Sequence, residues 1–195
     1  MNRYARWGIA LALLPLAACA SSTPPPAPPA APPAPPPLAA ADASFVQMAA
    51  QGGMAEVQMG QLADQTSKSK MVKAFAEHMI KDHTAANDQL KQIATGKGAT
   101  MPTGVSDDQQ KTMTMLQGEK GRKFDHDYIA SQIAGHTDML TAFQTEAASG
   151  TDPDLKSFAA QTVPTIQEHL TEAQKIASPG HHKMMHHHHA KANAS

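Results

Sequence analysis

Apolar residues recur at three- and four-residue steps in four long stretches of the chain, and in each stretch an ionisable side chain interrupts the apolar stripe. The stripe Phe45, Ala49, Gly52, Met59 and Ala63 carries Glu56. Val72, Phe75, Met79, Ala86 and Leu90 carry His83; Tyr128, Ile129, Ile133, Leu140 and Phe143 carry His136. Leu155, Phe158, Thr162, Ile166, Ala173 and Ile176 carry His169. This spacing predicts amphipathic helices, and no alternating strand pattern competes with it. An ionisable group on the buried face needs a partner, because burying it alone is costly.

The helix limits are written in the sequence. The first helix is expected over about Asp42 to Gln65, and the short turn Thr66–Ser69 makes the second its antiparallel neighbour. The second is expected to end near Ala94-Thr95, with Gly96 as a left-handed cap. Ser106-Asp-Asp-Gln109 has capping-box spacing and opens a short helix with apolar positions Met113 and Leu116. Gly118 and Gly121 break it before a long helix over about Arg122 to Ala148. Asp152, Pro153 and Asp154 start the last helix, in which Pro164 is expected to make a kink. Gly52, Gly53 and Gly60 each cost about 1 kcal/mol relative to alanine in a helix, so a neighbour must approach closely there.

Four long helices with short connections suggest an all-α, up-down-up-down antiparallel bundle with an extra short helix before the third long one. Glu56, His83, His136 and His169 each fall near the middle of their helix, so they are expected to meet in one layer. Three imidazoles and a carboxylate suit zinc, copper, nickel or iron. Asp82 and Tyr128 are placed to fix the imidazole tautomers. The competing reading is a polar network, with or without internal water, that only sets helix register. His78 and His126 fall off the stripes and are expected in solvent.

Residues 1–18 read as a signal peptide: Arg3 and Arg6 form a basic end, and Ile9 to Leu16 a short apolar run. That run is too short for a permanent membrane span. Leu16-Ala17-Ala18-Cys19 resembles the bacterial lipobox, which implies acylation of Cys19 and a lipid anchor in the envelope. Ala20, after the cysteine, is compatible with the outer membrane and its periplasmic face. The competing reading is an ordinary secretory signal. Cys19 is the only cysteine, so the chain has no internal disulfide.

Residues 19–41 hold the linker; Ser21 to Leu38 contains ten prolines and favours extended polyproline II, with a reach on the order of 50 Å. A spacer is the simpler reading; a ligand for a proline-reading module is the other. The folded domain is assigned to residues 42–178, and residues 179–195 to a disordered tail. His181, His182, Met184, Met185, His186, His187, His188 and His189 give that tail imidazole and thioether donors suited to copper, nickel or zinc. A leftover purification tag is the alternative. With a net charge of -1 and 17% charged residues, the chain has no basic stripe for nucleic acid.

The segments FVQMAAQGGMAEVQMGQLA, VKAFAEHMIKDHTAAN, FDHDYIASQIAGH and DPDLKSFAAQTVPTIQEHL resemble the exported bacterial family called domain of unknown function 4142. The likeness runs from about Ala43 to Ala177. It implies a ferritin-like four-helix bundle in which Glu56, Asp82, His83, Asp125, Tyr128, His136 and His169 match recurrent polar positions. No glutamate here has a histidine three residues later, so the Glu-x-x-His pairs of di-iron bundles are missing, which argues against ferroxidase chemistry. Three functions are open. One is a lipid-anchored metal-binding bundle; another is an envelope lipoprotein that meets an unidentified protein partner and uses its polar layer only for register; the third, least favoured because that motif is missing, is a metal-dependent oxidase.

Overall fold

The computed structural model describes residues 36–178. Five helices follow one another: α1 (Ala40–Thr66), α2 (Lys70–Gly96), α3 (Asp107–Gln117), α4 (Gly121–Ser149) and α5 (Pro153–Ala177). There is no strand among the described residues. No helix among them is long and apolar enough to cross a membrane. The signal peptide, Cys19, most of the proline linker and the His/Met tail lie outside the described residues.

Local chemistry sets most helix ends. The Ser69 hydroxyl accepts from the Val72 amide at the start of α2. Ser106 and Gln109 form a reciprocal capping box on α3. Asp152 accepts from the Asp154 and Leu155 amides, with Pro153 in the first turn of α5. One end differs from expectation. Gly96 stays helical, and Gly98 takes the left-handed conformation at φ 66°. The Ala99 amide donates to the Ala94 carbonyl and the Gly98 amide to Thr95, a Schellman closure two residues later than expected. Pro164 does not divide α5, which is continuous around it. The residue is exposed, so water can serve the carbonyl that the ring leaves without a donor.

The chain direction is not up-down-up-down. Asp42, at the start of α1, accepts hydrogen bonds from the Thr151 amide (3.0 Å), the Thr151 hydroxyl (2.5 Å) and the Asp152 amide (2.9 Å) between α4 and α5. Lys97, just past α2, pairs with Asp152 at 2.9 Å and Asp154 at 2.6 Å. The start of α1 and the ends of α2 and α4 therefore share one end of the bundle. At the other end, Ser67 of the α1–α2 turn donates to Asp125 at the start of α4, at 2.6 Å. So α2 and α4 run in the same direction, and residues 97–120, with α3, carry the chain back along the bundle. The two hairpins, α1 with α2 and α4 with α5, join through α2 on α5 and α1 on α4. Every helix is antiparallel to both of its neighbours, and the single long crossover is the ferritin-like arrangement. The short α3 packs outside α1 and α4. A long crossover was hidden because α3 made the connection look like two short loops.

Close approach explains the glycines of α1. A Cβ on Gly53 would fall on the Asn87 side-chain amide. One on Gly60 would lie 2.9 Å from Ile80 Cγ1 and 3.2 Å from the Ala76 carbonyl. These glycines let α2 lie against α1, and the packing offsets their cost in helix propensity.

The core is divided. One cluster gathers Met59, Ala63, Val72, Phe75, Met79, Leu116, Phe124, Tyr128 and Ala173. The other gathers Phe45, Val46, Leu90, Phe143, Leu155, Phe158 and Ile166. In each long helix the ionisable position falls between members of the two clusters, so a polar layer crosses the bundle midway.

Candidate metal centre

His83 lies on α2 between Met79 and Leu90, His136 on α4 between Ile129 and Met139, and His169 on α5 between Ile166 and Ala173; all three are buried. Antiparallel neighbours bring mid-helix positions to equal depth, and the three rings form a near-equilateral triangle. Ring centroids are 5.5 Å apart for His83–His136, 5.4 Å for His83–His169 and 5.5 Å for His136–His169. One nitrogen from each ring lies within 4.8 Å of the others.

Hydrogen bonds select the tautomers. His136 Nδ1 sits 2.9 Å from the Gln132 carbonyl, which can only accept, so Nδ1 carries the proton and the Nε2 lone pair is free. His169 Nε2 is 3.1 Å from an Asp82 carboxylate oxygen, so Nε2–H donates there. That leaves His169 Nδ1 buried with no hydrogen-bond partner among the described residues. His83 Nε2 and His136 Nε2 face each other at 3.4 Å.

Electrostatics favour the neutral form of two of the rings. Burial, then the neighbouring His136 and His169, hold His83 well below the ordinary imidazole value. Burial and His169 lower His136 to about 4, against a small opposing effect of the Gln132 carbonyl. An imidazole binds a cation through an unprotonated nitrogen, and in the neutral form the hydrogen bonds of His136 Nδ1 and His169 Nε2 leave the other ring nitrogen of each unprotonated.

Glu56 is buried beside this triangle but does not join it. Its Oε1 stands 3.9 Å from His136 Nδ1, the nitrogen already engaged by Gln132. Only the three imidazoles form a cluster with ligand spacing among the described residues. Burial pushes the Glu56 carboxyl up to about 7; the Gln132 amide faces it and offsets part of that rise, without the geometry of a full hydrogen bond. Glu56 instead reaches toward a cavity of about 380 Å³ between α1, α3 and α4, lined also by Gly52, Gln109, Gly135 and Met139.

The supporting residues also divide. Asp82 is where the sequence places it, on the outer nitrogen of His169. Asp125 does not touch the layer; it accepts from Ser67 and ties the α1–α2 turn to α4. Tyr128 is fully buried, stacked on Phe124 with centroids 6.0 Å apart, and its hydroxyl has no partner among the described residues. Burial, then the Glu56 charge, raises its phenol well above the usual value, and without a hydrogen-bond partner among the described residues the hydroxyl orients no imidazole. His78 and His126 are exposed, paired with Glu172 and Asp127. The residue the sequence reading missed is Gln132, whose main-chain carbonyl accepts from His136 Nδ1; any residue four positions earlier in the helix offers that carbonyl, so the side chain gives no signal.

None of the curated proteins matches this chain. A crystal structure of a DUF305 fragment from Deinococcus radiodurans has a similar fold, with a TM-score of 0.65 at 14% identity, covering 74% of this chain and 99% of that one. That likeness concerns the fold alone. The family model for the domain of unknown function DUF4142 matches residues 27–176. With the helix order and the buried layer in place, the chain belongs to the DUF4142 family.

Proposed function

We propose that this protein is an exported, lipid-anchored bundle that holds one transition-metal ion on His83, His136 and His169. The observation that carries the reading is the three-imidazole cluster, buried between two apolar half-cores. Two nitrogens bound tetrahedrally to one zinc ion lie about 3.4 Å apart, from metal–nitrogen distances of ~2.0–2.1 Å. His83 and His136 already stand at 3.4 Å, and one nitrogen of each of the three rings lies within 4.8 Å of the others. The donor set suits zinc, copper or nickel better than iron, which favours added carboxylates. Glu56 lies on the far side of His136 and is not a ligand in this reading.

The lipobox at Cys19 would tether the bundle to the periplasmic face of the outer membrane, and the proline linker would hold it off the surface. The His/Met tail would capture metal weakly, before or beside the buried site.

Metal content tests the reading. A full-length chain with the six tail histidines replaced by asparagine is expected to retain one ion per chain after exhaustive desalting. The same chain carrying His83→Ala is expected to retain none. The close His83–His136 contact also fits a second reading, a hydrogen-bonded register device without metal. Metal-free protein after incubation with zinc, copper and nickel in turn would decide for that reading.

A further inference from the structure

The three histidines are buried, yet two of them, His83 and His169, line an open cleft. A cleft of about 330 Å³ between α2 and α5 is lined by Asp82, His83, Gln161, Thr165, Glu168 and His169. His169 is 4% exposed, and its Nδ1 has no hydrogen-bond partner among the described residues. The larger cavity across the bundle touches none of the three rings; it stops at Glu56, behind the engaged Nδ1 of His136. The two openings are therefore unequal. One reaches metal-ligating side chains directly, and the other is closed off by a carboxylate and a backbone hydrogen bond.

We propose that the cleft between α2 and α5 is the loading port through which a hydrated divalent cation reaches the three-histidine site. This rests on the metal-binding reading and adds the route. Asp82 and Glu168 stand in the cleft wall and attract a cation, while polar Gln161 and Thr165 exchange hydrogen bonds with its water shell. Asp82 is half-buried and already accepts a hydrogen bond from His169 Nε2, so it connects the wall to a ligand. Water leaves the ion as the imidazole nitrogens replace it.

Stopped-flow mixing of Co²⁺ with the full-length protein, its six tail histidines replaced by asparagine, tests the route. Thr165→Trp fills the cleft and is expected to slow both loading and release at least tenfold. Ala134→Trp fills the opposite cavity and is expected to leave both rates within twofold of the parent. Glu168→Gln changes charge at an exposed position without threatening the fold; it is expected to slow loading two- to threefold at low salt, with the difference disappearing at high salt. Unaltered rates in Thr165→Trp and Glu168→Gln, or slowing by Ala134→Trp instead, would overturn the port while leaving the metal site standing. Failure of the parent protein to take up Co²⁺, Zn²⁺ or Cu²⁺ would overturn both.

Discussion

Glu56 and His136 respond to pH in opposite senses. Burial lifts the Glu56 carboxyl from 4.5 to about 7 and lowers the His136 imidazole from 6.5 to about 4. The folded chain keeps the Glu56 proton after the unfolded chain has lost it. Its contribution to stability is complete below pH 4.5 and is lost as pH rises through 7. His136 resists a proton that the unfolded chain accepts, so its contribution is present above pH 6.5 and is lost as pH falls through 4. His83, lowered by the same burial, acts with His136. Two imidazoles oppose one carboxylate, so the metal-free protein is expected to lose stability on acidification from about pH 6.5 to 5. Glu56→Gln removes the opposing effect. Urea unfolding in chelator is expected to show it more stable than the parent by roughly 2–3 kcal/mol at about pH 8, with a steeper acid loss. Equal stability of variant and parent at about pH 8 would contradict the burial argument.

A second residue-scale prediction concerns Asp42, 1% exposed and engaged by three donors. Burial raises its carboxyl, but the hydrogen bonds from Thr151 and Asp152 outweigh that and leave it below the usual value. Asp42→Ala strands two backbone amides and is expected to cost about 2–3 kcal/mol in urea unfolding. Neither this clasp nor Gln132 was legible in the sequence. An aspartate near a helix start reads as a solvated dipole partner, and a glutamine on a helix reads as surface. The histidines were legible because each interrupts an otherwise apolar stripe.

At the scale of elements, the α1–α2 pair tests packing against propensity. Gly60→Ala gains helix propensity of about 1 kcal/mol but drives a Cβ against Ile80 and the Ala76 carbonyl; a net loss of about 1–2 kcal/mol is expected. Gly96→Ala, with nothing within 4 Å and an ordinary helical backbone, is expected to gain up to about 1 kcal/mol. Thermal melts of the two variants should move in opposite directions; a shared direction would mean that propensity alone governs both sites. Helix positions were legible to within a few residues, because caps and periodicity are local. The direction of α4 was not, because it depends on whether residues 97–120 fold back at one end or climb the bundle, and local signals do not distinguish these.

For the whole molecule, the division of the core by a polar layer is the organising feature. Three imidazoles buried in the centre of a bundle this size are costly to desolvate, and His169 Nδ1 has no hydrogen-bond partner among the described residues to offset that cost; an apolar layer of equal volume would avoid it. A bound ion gives those groups a partner and would tie α2, α4 and α5 together. Metal is therefore expected to raise the melting temperature of the parent chain, and to leave that of His83→Ala unchanged, by mass action on the folded state. The proposed lipid anchor belongs to the same scale. Cys19→Ser is expected to move the protein from the membrane to the soluble fraction on cell fractionation; unchanged membrane association would contradict anchoring at that cysteine.

X-ray absorption at the metal edge of zinc-loaded full-length protein, its tail histidines replaced by asparagine, measures the central claim most directly. The account predicts one zinc per chain with three imidazole nitrogens at ~2.0–2.1 Å. A first shell of oxygen alone, or zinc retained unchanged in the triple His83→Ala, His136→Ala, His169→Ala chain, would contradict it.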